Sequence, residues 1–385
     1  MLEGIVTWAE IDLDAIAANV RSYIHHVGPQ VEVIAVVKAN AYGHGAVPVA
    51  RAALAAGATR LAVHRAIEGV ELRRAGITEP ILILGYTPPS GADLAVEWRL
   101  TPSLITPEFA QAVSARAAAS GITLNLHLKV DTGMSRYGLF PQEVIPFLNQ
   151  IQSLPGIHVE GIFTHLATAD WADSTFADQQ VQRFQEVVNA ARHAGHPLPL
   201  AHMANSAGAM KLRSAHFNAV RPGISMYGMD ASDQWPPVFP LVPALTLKSR
   251  VSRVYDLPAG AGISYSRTYV TPGPMRAALV PVGYGDGYHR ILSNQGFVLL
   301  HGQRAPIRGR VCMDQFVVDV SGIPGVAQDD EVVLVGRQGA ETLRAEEVAG
   351  WANTINYEVT TSLLPRVARA YLRGGEIQEV HSLGG

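Results

Sequence analysis

A lysine ends an apolar run near the start of the chain, and small or polar residues follow it. The run VEVIAVV covers residues 31–37, and Lys38 is followed by ANAYGHG. Most lysines in such a position mark the solvent-exposed end of a strand, because a charged amine is costly to bury. An amine at that point can also attack a carbonyl carbon and hold it as a Schiff base. Lys38 is therefore the first candidate for chemistry.

Short segments rich in glycine and serine, further along the chain, have residue types suited to a phosphate group. ANSAG contains Ser206, and RPGIS contains Arg221 and Gly223. A serine hydroxyl, backbone N–H groups and a helix that begins at Ser206 are suitable phosphate donors. Each segment alone is a weak signal. Together with Lys38, they point to a phosphorylated cofactor that carries an aldehyde.

Eight apolar runs, separated by helix-like segments, position these residues. After an opening helix, DLDAIAANVRSYIHHV, the runs are VEVIAVV, TRLAVH, PILILG, TPSLI, ITLNLHLKV, IHVEGIFTH, LPLAHM and FNAVRPG. Eight strand-then-helix units predict a closed parallel (β/α)8 barrel, whose active site lies at the carboxyl ends of the strands. An open doubly wound sheet has the same local signals.

The pattern changes at DASDQWPPVFPLVP, where four prolines in 14 residues exclude a long helix. We take this segment as the linker between a barrel domain at 1–230 and a second domain at 231–385. The second domain contains short β-type runs separated by turns, and ETLRAEEVAGWANT reads as one helix. We expect a mainly β domain, either a small barrel or a sandwich. The fold class is therefore α/β plus β.

Composition excludes several classes of function. The net charge is −3 without a long basic block, so we expect no nucleic-acid partner. No apolar run reaches the roughly 20 residues that span a bilayer, so we expect no membrane association. The single cysteine, Cys312, excludes an internal disulfide and favours the reducing cytoplasm. No Cys/His cluster has metal-ligand spacing, so no catalytic metal is expected.

The motifs together resemble those of the alanine racemases, pyridoxal 5'-phosphate (PLP) enzymes with a (β/α)8 TIM barrel and a carboxyl-terminal β domain. The resemblance covers nearly the whole chain. VVKANAYGHG is specific to this family and its close relatives, and GISYSRTY and GRVCMDQ point to the racemases themselves. The other matching segments are TWAEIDLDAIAANV, HLKVDTGMSRYG, THLATAD, ANSAG, RPGISMYG, PVGYGDGY and YEVTTSLLPRVARAY.

The resemblance implies a two-base interconversion of L-alanine and D-alanine, which supplies D-alanine for peptidoglycan. Lys38 would hold PLP as a Schiff base and exchange a proton on one face of the substrate. Tyr265 would serve the other face and would come from the second subunit of a homodimer, so that each active site lies at the interface. Amines and phenols have ordinary pKa values near 10, so their environment must perturb them for work near neutral pH.

The resemblance also assigns residues to the cofactor and its surroundings. The phosphate group would be bound by Tyr42, Ser206, Gly223, Ile224 and Tyr357.

Three cationic or imidazole side chains are assigned to the rest of the cofactor. Arg221 would face its pyridine nitrogen, and His165 would bridge Arg221 and Tyr265. Arg136 would lie near the phenolic oxygen and would bind the substrate carboxylate. Lys129 matches a position that carries either a carbamate or a plain lysine, and both remain open. A carbamate there would hold the Arg136 guanidinium by two hydrogen bonds.

The remaining assignments concern the substrate and the route to the site. The Met313 backbone N–H would bind the substrate carboxylate, with Asp314 beside it at the dimer interface. Tyr284 would form the entryway constriction together with Tyr357. Asn205 would support the site.

Three alternative functions share part of these sequence signals. A barrel-type PLP-dependent decarboxylase usually pairs the pyridine nitrogen with a carboxylate, which disagrees with Arg221. A racemase of broader specificity, acting on serine or basic amino acids, is often exported, whereas this chain starts without a secretory pattern. A cofactor-carrying regulatory protein of the single-barrel type would have no second domain. Three pairs depart from the family pattern: His64 with Arg65, Leu364 with Pro365, and Gly285 with His289. They affect the expected loop shape and entryway rather than the reaction.

Overall fold

The computed structural model describes residues 2–383, which divide into two units. The barrel unit consists of Ile16–Ala41 and Ala46–Leu241. Among the described residues, the β unit consists of 2–15, Tyr42–Gly45 and 242–383. The short segment Tyr42–Gly45, which begins four residues after Lys38, therefore belongs to the β unit, and the barrel unit resumes at Ala46. Residues 230–243 contain neither helix nor strand.

A closed parallel barrel of eight strands forms the core of the barrel unit. In the chain it is preceded by strand β1 (Thr7–Asp12) and a helix at Leu13–Val27. The barrel strands, in the order in which they pair, are β2 (Glu32–Val36), β3 (Arg60–Val63), β4 (Ile81–Ile83), β5 (Thr101–Leu104), β6 (Leu124–Lys129), β7 (Ile157–Phe163), β8 (Leu200–His202) and β9 (Ala219–Val220). The prediction of a closed (β/α)8 barrel is confirmed, and the open sheet is excluded.

Helices alternate with these strands. They span Ala46–Ala55, Ala66–Arg74, Ala92–Glu97, Pro107–Ala119, Val144–Ile151, Thr175–His193 and Ser206–Lys211. The last begins at Ser206 as predicted, because the Asn205 side chain caps it by accepting a hydrogen bond from the Gly208 N–H at 2.9 Å. Of the helices in residues 2–383, none is long and apolar enough to cross a bilayer.

The barrel interior is mainly apolar, with a few buried polar exceptions. Val33–Val36 in β2 are all buried, as expected for a parallel strand that is covered on both faces. His127 in β6 and His202 in β8 are also fully buried. Gly161 in β7 leaves room for one of them, because a Cβ there would lie 2.8 to 2.9 Å from atoms of the His127 ring.

The β unit contains an 11-stranded sheet and a separate pair of short strands. Its strands besides β1 are β10 (Leu245–Arg250), β11 (Arg253–Leu257), β12 (Gly262–Ile263), β13 (Tyr269–Val270), β14 (Met275–Val280), β15 (Phe297–Leu300), β16 (Gln303–Arg308), β17 (Phe316–Asp319), β18 (Glu331–Gln338), β19 (Glu341–Leu343), β20 (Ala368–Arg373) and β21 (Glu376–His381). The pairing order is β11-β14-β17-β16-β15-β18-β10-β1-β20-β21, with β19 on β18. The predicted mainly β character is confirmed. Within the described residues the pairing path ends at β11 and β21, so it does not close into a small barrel.

Two elements differ from the sequence analysis. The strand β1 was not predicted; it pairs antiparallel with β10 and parallel with β20, both far along the chain. The prediction of one helix over ETLRAEEVAGWANT is wrong. Its first residues form β19, which pairs with the end of β18 through a turn at Gly339 and buries Leu343. Only Ala345–Trp351 is helical there, and a further helix spans Asn356–Thr361.

Replacing Gly161 by alanine tests the packing of the barrel interior. Since the added methyl group meets the buried His127 ring, we expect the Gly161→Ala variant to lose roughly 1–3 kcal/mol of unfolding free energy, measured by denaturant titration. Gly350→Ala is the control, because that helix position has open space and should gain about 0.5–1 kcal/mol. Equal stabilities of the two variants would contradict the packing described here.

Candidate active site

Lys38 directly follows β2 and begins a turn with unusual backbone geometry. Ala39, Asn40, Ala41 and Tyr42 all have φ near +52° to +53°, the left-handed region. For residues other than glycine this region costs roughly 1–2 kcal/mol each. Strain of this kind persists only where surrounding contacts over-determine the conformation, and it clusters at functional sites.

A carboxylate holds the strained turn. Glu68 Oε1 accepts a hydrogen bond from the Ala39 N–H at 2.6 Å, and its Oε2 accepts from the N–H groups of His64 and Arg65 at 2.8 Å. Asn40 Oδ1 accepts from the Ala46 N–H at 2.9 Å. The turn is thus tied to the starts of the two helices that follow β2 and β3.

The Lys38 amine lies in a positive environment. Burial lowers its pKa from the ordinary value, as do the charges of Arg136 and Arg221, whereas Glu68 acts in the opposite direction. A larger fraction of the amine is therefore neutral near pH 7 than in an exposed lysine, and a neutral amine is the nucleophilic form.

Arg221 follows β9 and is 3% exposed. Its Nη1 donates to His202 Nδ1 at 2.7 Å. Its Nη2 donates to the Thr164 carbonyl at 2.8 Å, lies 3.1 Å from the Met203 carbonyl and 3.2 Å from His165 Nδ1. Burial lowers the pKa of Arg221 to about 9, so the group stays protonated at neutral pH. Burial and the charge of Arg221 lower the pKa of His165 well below its usual range.

Lys129 ends β6 and shares an aromatic neighbour with Arg221. The Lys129 amine lies 4.6 Å from the Phe163 ring centroid, and the Arg221 guanidinium lies 5.3 Å from it. Burial, followed by the charge of Arg221, lowers the pKa of Lys129 well below the ordinary value. Within residues 2–383 no hydrogen bond or ion pair is made by this amine.

The loop after β6 carries Arg136. Asp131 holds this loop by accepting hydrogen bonds from the N–H groups of Gly133, Ser135 and Arg136 at 2.9 to 3.0 Å. The Arg136 side chain is exposed. It acts on Lys38, Lys129 and His165 by its charge.

Ser206, Gly223 and Ile224 come together after β8 and β9. Ser206 Oγ accepts from the Gly223 N–H at 2.8 Å and from the Ser225 N–H at 3.4 Å. Ser225 Oγ is buried and has no hydrogen-bond partner among residues 2–383. The hydroxyl protons of Ser206 and Ser225 and the first N–H groups of two helical turns are therefore left as donors. Such a set of donors suits a phosphate.

Four residues near Arg221 were not singled out from the sequence. They are His127 in β6, Glu160 and Phe163 in β7, and His202 in β8. The Phe163 ring stacks on the His202 ring at 4.9 Å and 10°. The sequence signal that could have identified the histidines and Glu160 is the presence of polar residues inside the apolar runs LNLHLK, IHVEGIF and LAH.

The β unit holds the other predicted residues. Tyr42 is buried, and its ring lies 6.0 Å from that of Tyr357. Tyr265, Tyr284, Met313 and Asp314 line one open groove, together with Ser264, Cys312 and Gln315. Tyr265 is 72% exposed, so nothing within its own unit covers it.

The structure thus groups the predicted residues into two sets. The barrel unit brings together Lys38, Lys129, Arg136, His165 and Arg221, with Asn205, Ser206, Gly223 and Ile224 after β8 and β9. The β unit contains one pair of tyrosines and one groove.

Two of the departures from the family pattern lie in exposed positions: His64 and Arg65 between β3 and the next helix, and Leu364 and Pro365 before β20. The third pair, Gly285 and His289, is half-buried. His64 is nevertheless affected by the site, because burial and the charge of Lys38 lower its pKa.

Comparison with known proteins now adds the family. The alanine racemase N-terminal domain matches residues 11–231, and the alanine racemase C-terminal domain matches residues 244–371. An alanine racemase of Desulforamulus reducens is 47% identical over 95% of this chain and 98% of that protein. The alanine racemase of Bacillus anthracis with bound L-Ala-P superposes with a TM-score of 0.93 at 41% identity, over 98% of this chain and 97% of that one. A histidine racemase of Leuconostoc mesenteroides superposes with a TM-score of 0.87 at 29% identity, over 95% of this chain and 98% of that one. The chain belongs to the alanine racemase family.

Proposed function

We propose that the protein interconverts L-alanine and D-alanine with PLP as its cofactor, and that the D-alanine serves peptidoglycan synthesis. The observation that carries the proposal is the Lys38 amine, which lies at the carboxyl end of a barrel strand and has a lowered pKa. The segments that follow β8 and β9 at the same end of the barrel offer phosphate donors. Alanine is favoured over a broader substrate range by whole-chain relatives at 43% and 47% identity that are alanine racemases.

The residues present fit PLP. The donors that remain at Ser206, Ile224 and Ser225 would bind its phosphate. Gly223, whose N–H donates to Ser206 Oγ in this structure, is proposed to complete that binding together with Tyr42 and Tyr357. Lys38 would bind its carbonyl carbon. When bound, PLP supplies a conjugated, electron-withdrawing ring that makes the substrate Cα–H acidic enough to exchange.

Lys38 is proposed as the base on one face of the substrate. Its Nζ can accept a proton from Cα only while it is neutral, and the lowered pKa supports that state. It can return the proton afterwards, because racemisation requires each base to act in both directions.

Arg221 is proposed to donate to the ring nitrogen of the cofactor. Its two Nη2 hydrogens and one Nη1 hydrogen are committed to acceptors in the barrel, so the Nε–H and the second Nη1–H are the donors that remain within the described residues. A guanidinium keeps its own proton, so it donates a hydrogen bond without protonating the ring nitrogen. The weaker electron withdrawal that results favours racemisation over transamination, and it disfavours the decarboxylase alternative.

Tyr265 is proposed as the base on the opposite face, contributed by the second subunit of a homodimer. The Tyr265 side chain is 72% exposed, which leaves it accessible to a second subunit and so supports this role. Met313 is 53% exposed in the same groove and would offer its backbone N–H to the substrate carboxylate. Asp314 is paired with Arg366 at 2.8 Å, and Tyr284 would narrow the entryway together with Tyr357.

Lys129 is proposed to carry a carbamate. A neutral amine attacks the carbon of CO2, forms an N–C bond and releases a proton, and the lowered pKa favours this neutral form. The product is an anion, which would replace a repelling ammonium beside Arg136 by a partner for its guanidinium. The single cysteine supports a reducing cytoplasm as the compartment.

The function is tested by incubating the PLP-loaded protein with L-alanine in deuterium oxide, followed by chiral analysis and mass spectrometry. We expect deuterium-labelled D-alanine from the wild type. The Tyr265→Phe variant should bind PLP with the same visible absorbance and lose roughly 100- to 10,000-fold in turnover, since it lacks one proton-transfer group.

Mixing two inactive variants is the control for this experiment. Lys38→Ala and Tyr265→Phe subunits, when allowed to exchange, should regain activity, because a mixed dimer contains one site with both groups. Absence of regained activity, or a Tyr265→Phe variant with unchanged turnover, contradicts the shared site. Formation of CO2 instead of D-alanine contradicts racemisation.

The Glu68→Gln variant tests the electrostatic control of Lys38. Because Glu68 raises the pKa of Lys38, removing its charge should move the pH midpoint of PLP incorporation to lower pH. The measurement is the rate at which the cofactor-free protein gains visible absorbance between pH 6 and 10. Glu71→Gln, one turn further along the same helix, should leave the midpoint in place. A midpoint that rises in Glu68→Gln refutes this assignment.

Crystals grown with and without bicarbonate test the Lys129 proposal. With bicarbonate, we expect a planar carbamate on Nζ at neutral to basic pH and its loss in acid, since protonation of the amine prevents the reaction. A Lys129→Gln crystal grown in bicarbonate is the matched control. An unmodified amine in the bicarbonate-grown wild type would remove the carbamate.

A further inference from the structure

A chain of hydrogen-bonded side chains leads from Arg221 through the barrel interior to a carboxylate. Arg221 Nη1 contacts His202 Nδ1 at 2.7 Å, and His202 Nε2 contacts His127 Nδ1 at 2.8 Å. His127 Nε2 lies 3.4 Å from Glu160 Oε2. Arg60 binds Glu160 by two hydrogen bonds of 2.8 and 3.1 Å.

The end groups fix the proton positions on both imidazoles. A guanidinium can only donate, so His202 Nδ1 must accept, and a neutral His202 carries its proton on Nε2. That proton is donated to His127 Nδ1, which leaves the His127 proton on Nε2. The His127 N–H then faces the Glu160 carboxylate, which can only accept. Every donor in the chain therefore meets an acceptor in one proton arrangement only.

The charge state of each group agrees with this arrangement. Both histidines are fully buried, and burial lowers their pKa, so they are neutral. The hydrogen bond from His127 and the bonds from Arg60 lower the pKa of Glu160 to about 2, so it is ionised. If Glu160 were neutral, its O–H could donate to His127 Nε2, and both histidines would then carry their protons on Nδ1. In that arrangement the His202 Nδ1–H would face the Arg221 guanidinium, so two donors would meet.

We propose that Glu160 is a positioning residue for Arg221 and acts on it through His127 and His202. The carboxylate holds both histidines in the Nε2–H form, so that Arg221 Nη1 meets a lone pair and the guanidinium keeps one orientation. This inference rests on the proposed role of Arg221 toward the cofactor nitrogen.

The surrounding packing supports a built chain rather than a chance alignment. Gly161 has no side chain where the His127 ring lies, and β6 and β7 change register between Leu126 and His127. The Phe163 ring stacks on His202 at 4.9 Å. Backbone and ring contacts thereby hold both histidine rings in place. Their proton positions are then determined by the hydrogen bonds that link Arg221, His202, His127 and Glu160.

The matched variants Glu160→Gln and Glu32→Gln test the proposal. Each removes one carboxylate from Arg60, since Glu32 Oε2 accepts from Arg60 Nε at 3.0 Å, but only Glu160 contacts His127. The first measurement is the 15N spectrum of histidine-labelled protein, with and without PLP, assigned with the His127→Asn and His202→Asn variants. The second is kcat and KM for L-alanine.

In the wild type we expect His127 and His202 to be neutral Nε2–H forms between pH 7 and 8.5. In Glu160→Gln, the amide N–H can donate to His127, so its signals should shift toward the Nδ1–H form. Misplacement of Arg221 should then lower kcat on the order of 10- to 100-fold, with KM changed less than twofold and PLP retained. Glu32→Gln should match the wild type in both measurements.

Three results would overturn the proposal: wild-type signals of charged or Nδ1–H histidines, a Glu160→Gln variant that matches the wild type, or equal effects of both variants. The wild-type spectrum decides the question even where Glu160→Gln does not fold. The spectrum of the cofactor-free protein does not depend on the PLP chemistry. A failed racemase assay with the expected spectrum would therefore refute the proposed function and keep the proton arrangement.

Discussion

Burial of positive charge without a directly contacting carboxylate is the constraint on which the barrel site depends. Arg221 is 3% exposed, and within residues 2–383 its hydrogen-bond partners are carbonyl oxygens and imidazole nitrogens. Transfer of such an ion from water costs several kcal/mol even after relaxation. The guanidinium keeps its proton because its ordinary pKa is so high, and its charge disfavours protonation of the neighbouring amines. Burial is the main cause of the lowered pKa values of Lys38 and Lys129, and the charge of Arg221 adds to it at both, after that of Arg136 at Lys38.

The strained turn after Lys38 is a second consequence of building this site at a strand end. Four successive residues in the left-handed region cannot be stabilised by their own backbone preferences. The Glu68 carboxylate offsets part of the cost, because it binds the turn and the start of the next helix at once. The same carboxylate moderates the positive field at Lys38. One side chain therefore affects both the backbone geometry of the turn and the basicity of the amine.

The sequence predicts the eight barrel strands and the mainly β second unit, because their signals are local runs of apolar residues and turns. It also predicts that Lys38, His165, Ser206 and Arg221 come after strands. It does not predict β1, whose partners lie more than two hundred residues away in the chain. The chain from His202 to Glu160 is hidden for the same reason. It depends on the register of three different strands, and 14 histidines in the sequence give no reason to choose two of them.

Three tyrosines of the barrel unit support the proposal that the second base comes from outside the barrel. Tyr23 and Tyr227 donate their hydroxyl groups to backbone carbonyls within the barrel unit. Burial raises the pKa of Tyr137, which makes it a poorer proton donor and acceptor near neutral pH. Tyr265 lies in a groove with Met313, so one surface offers both a phenol and a backbone N–H suited to bind a substrate carboxylate. If two bases must flank one carbon, supplying the second from another subunit makes assembly a condition of catalysis.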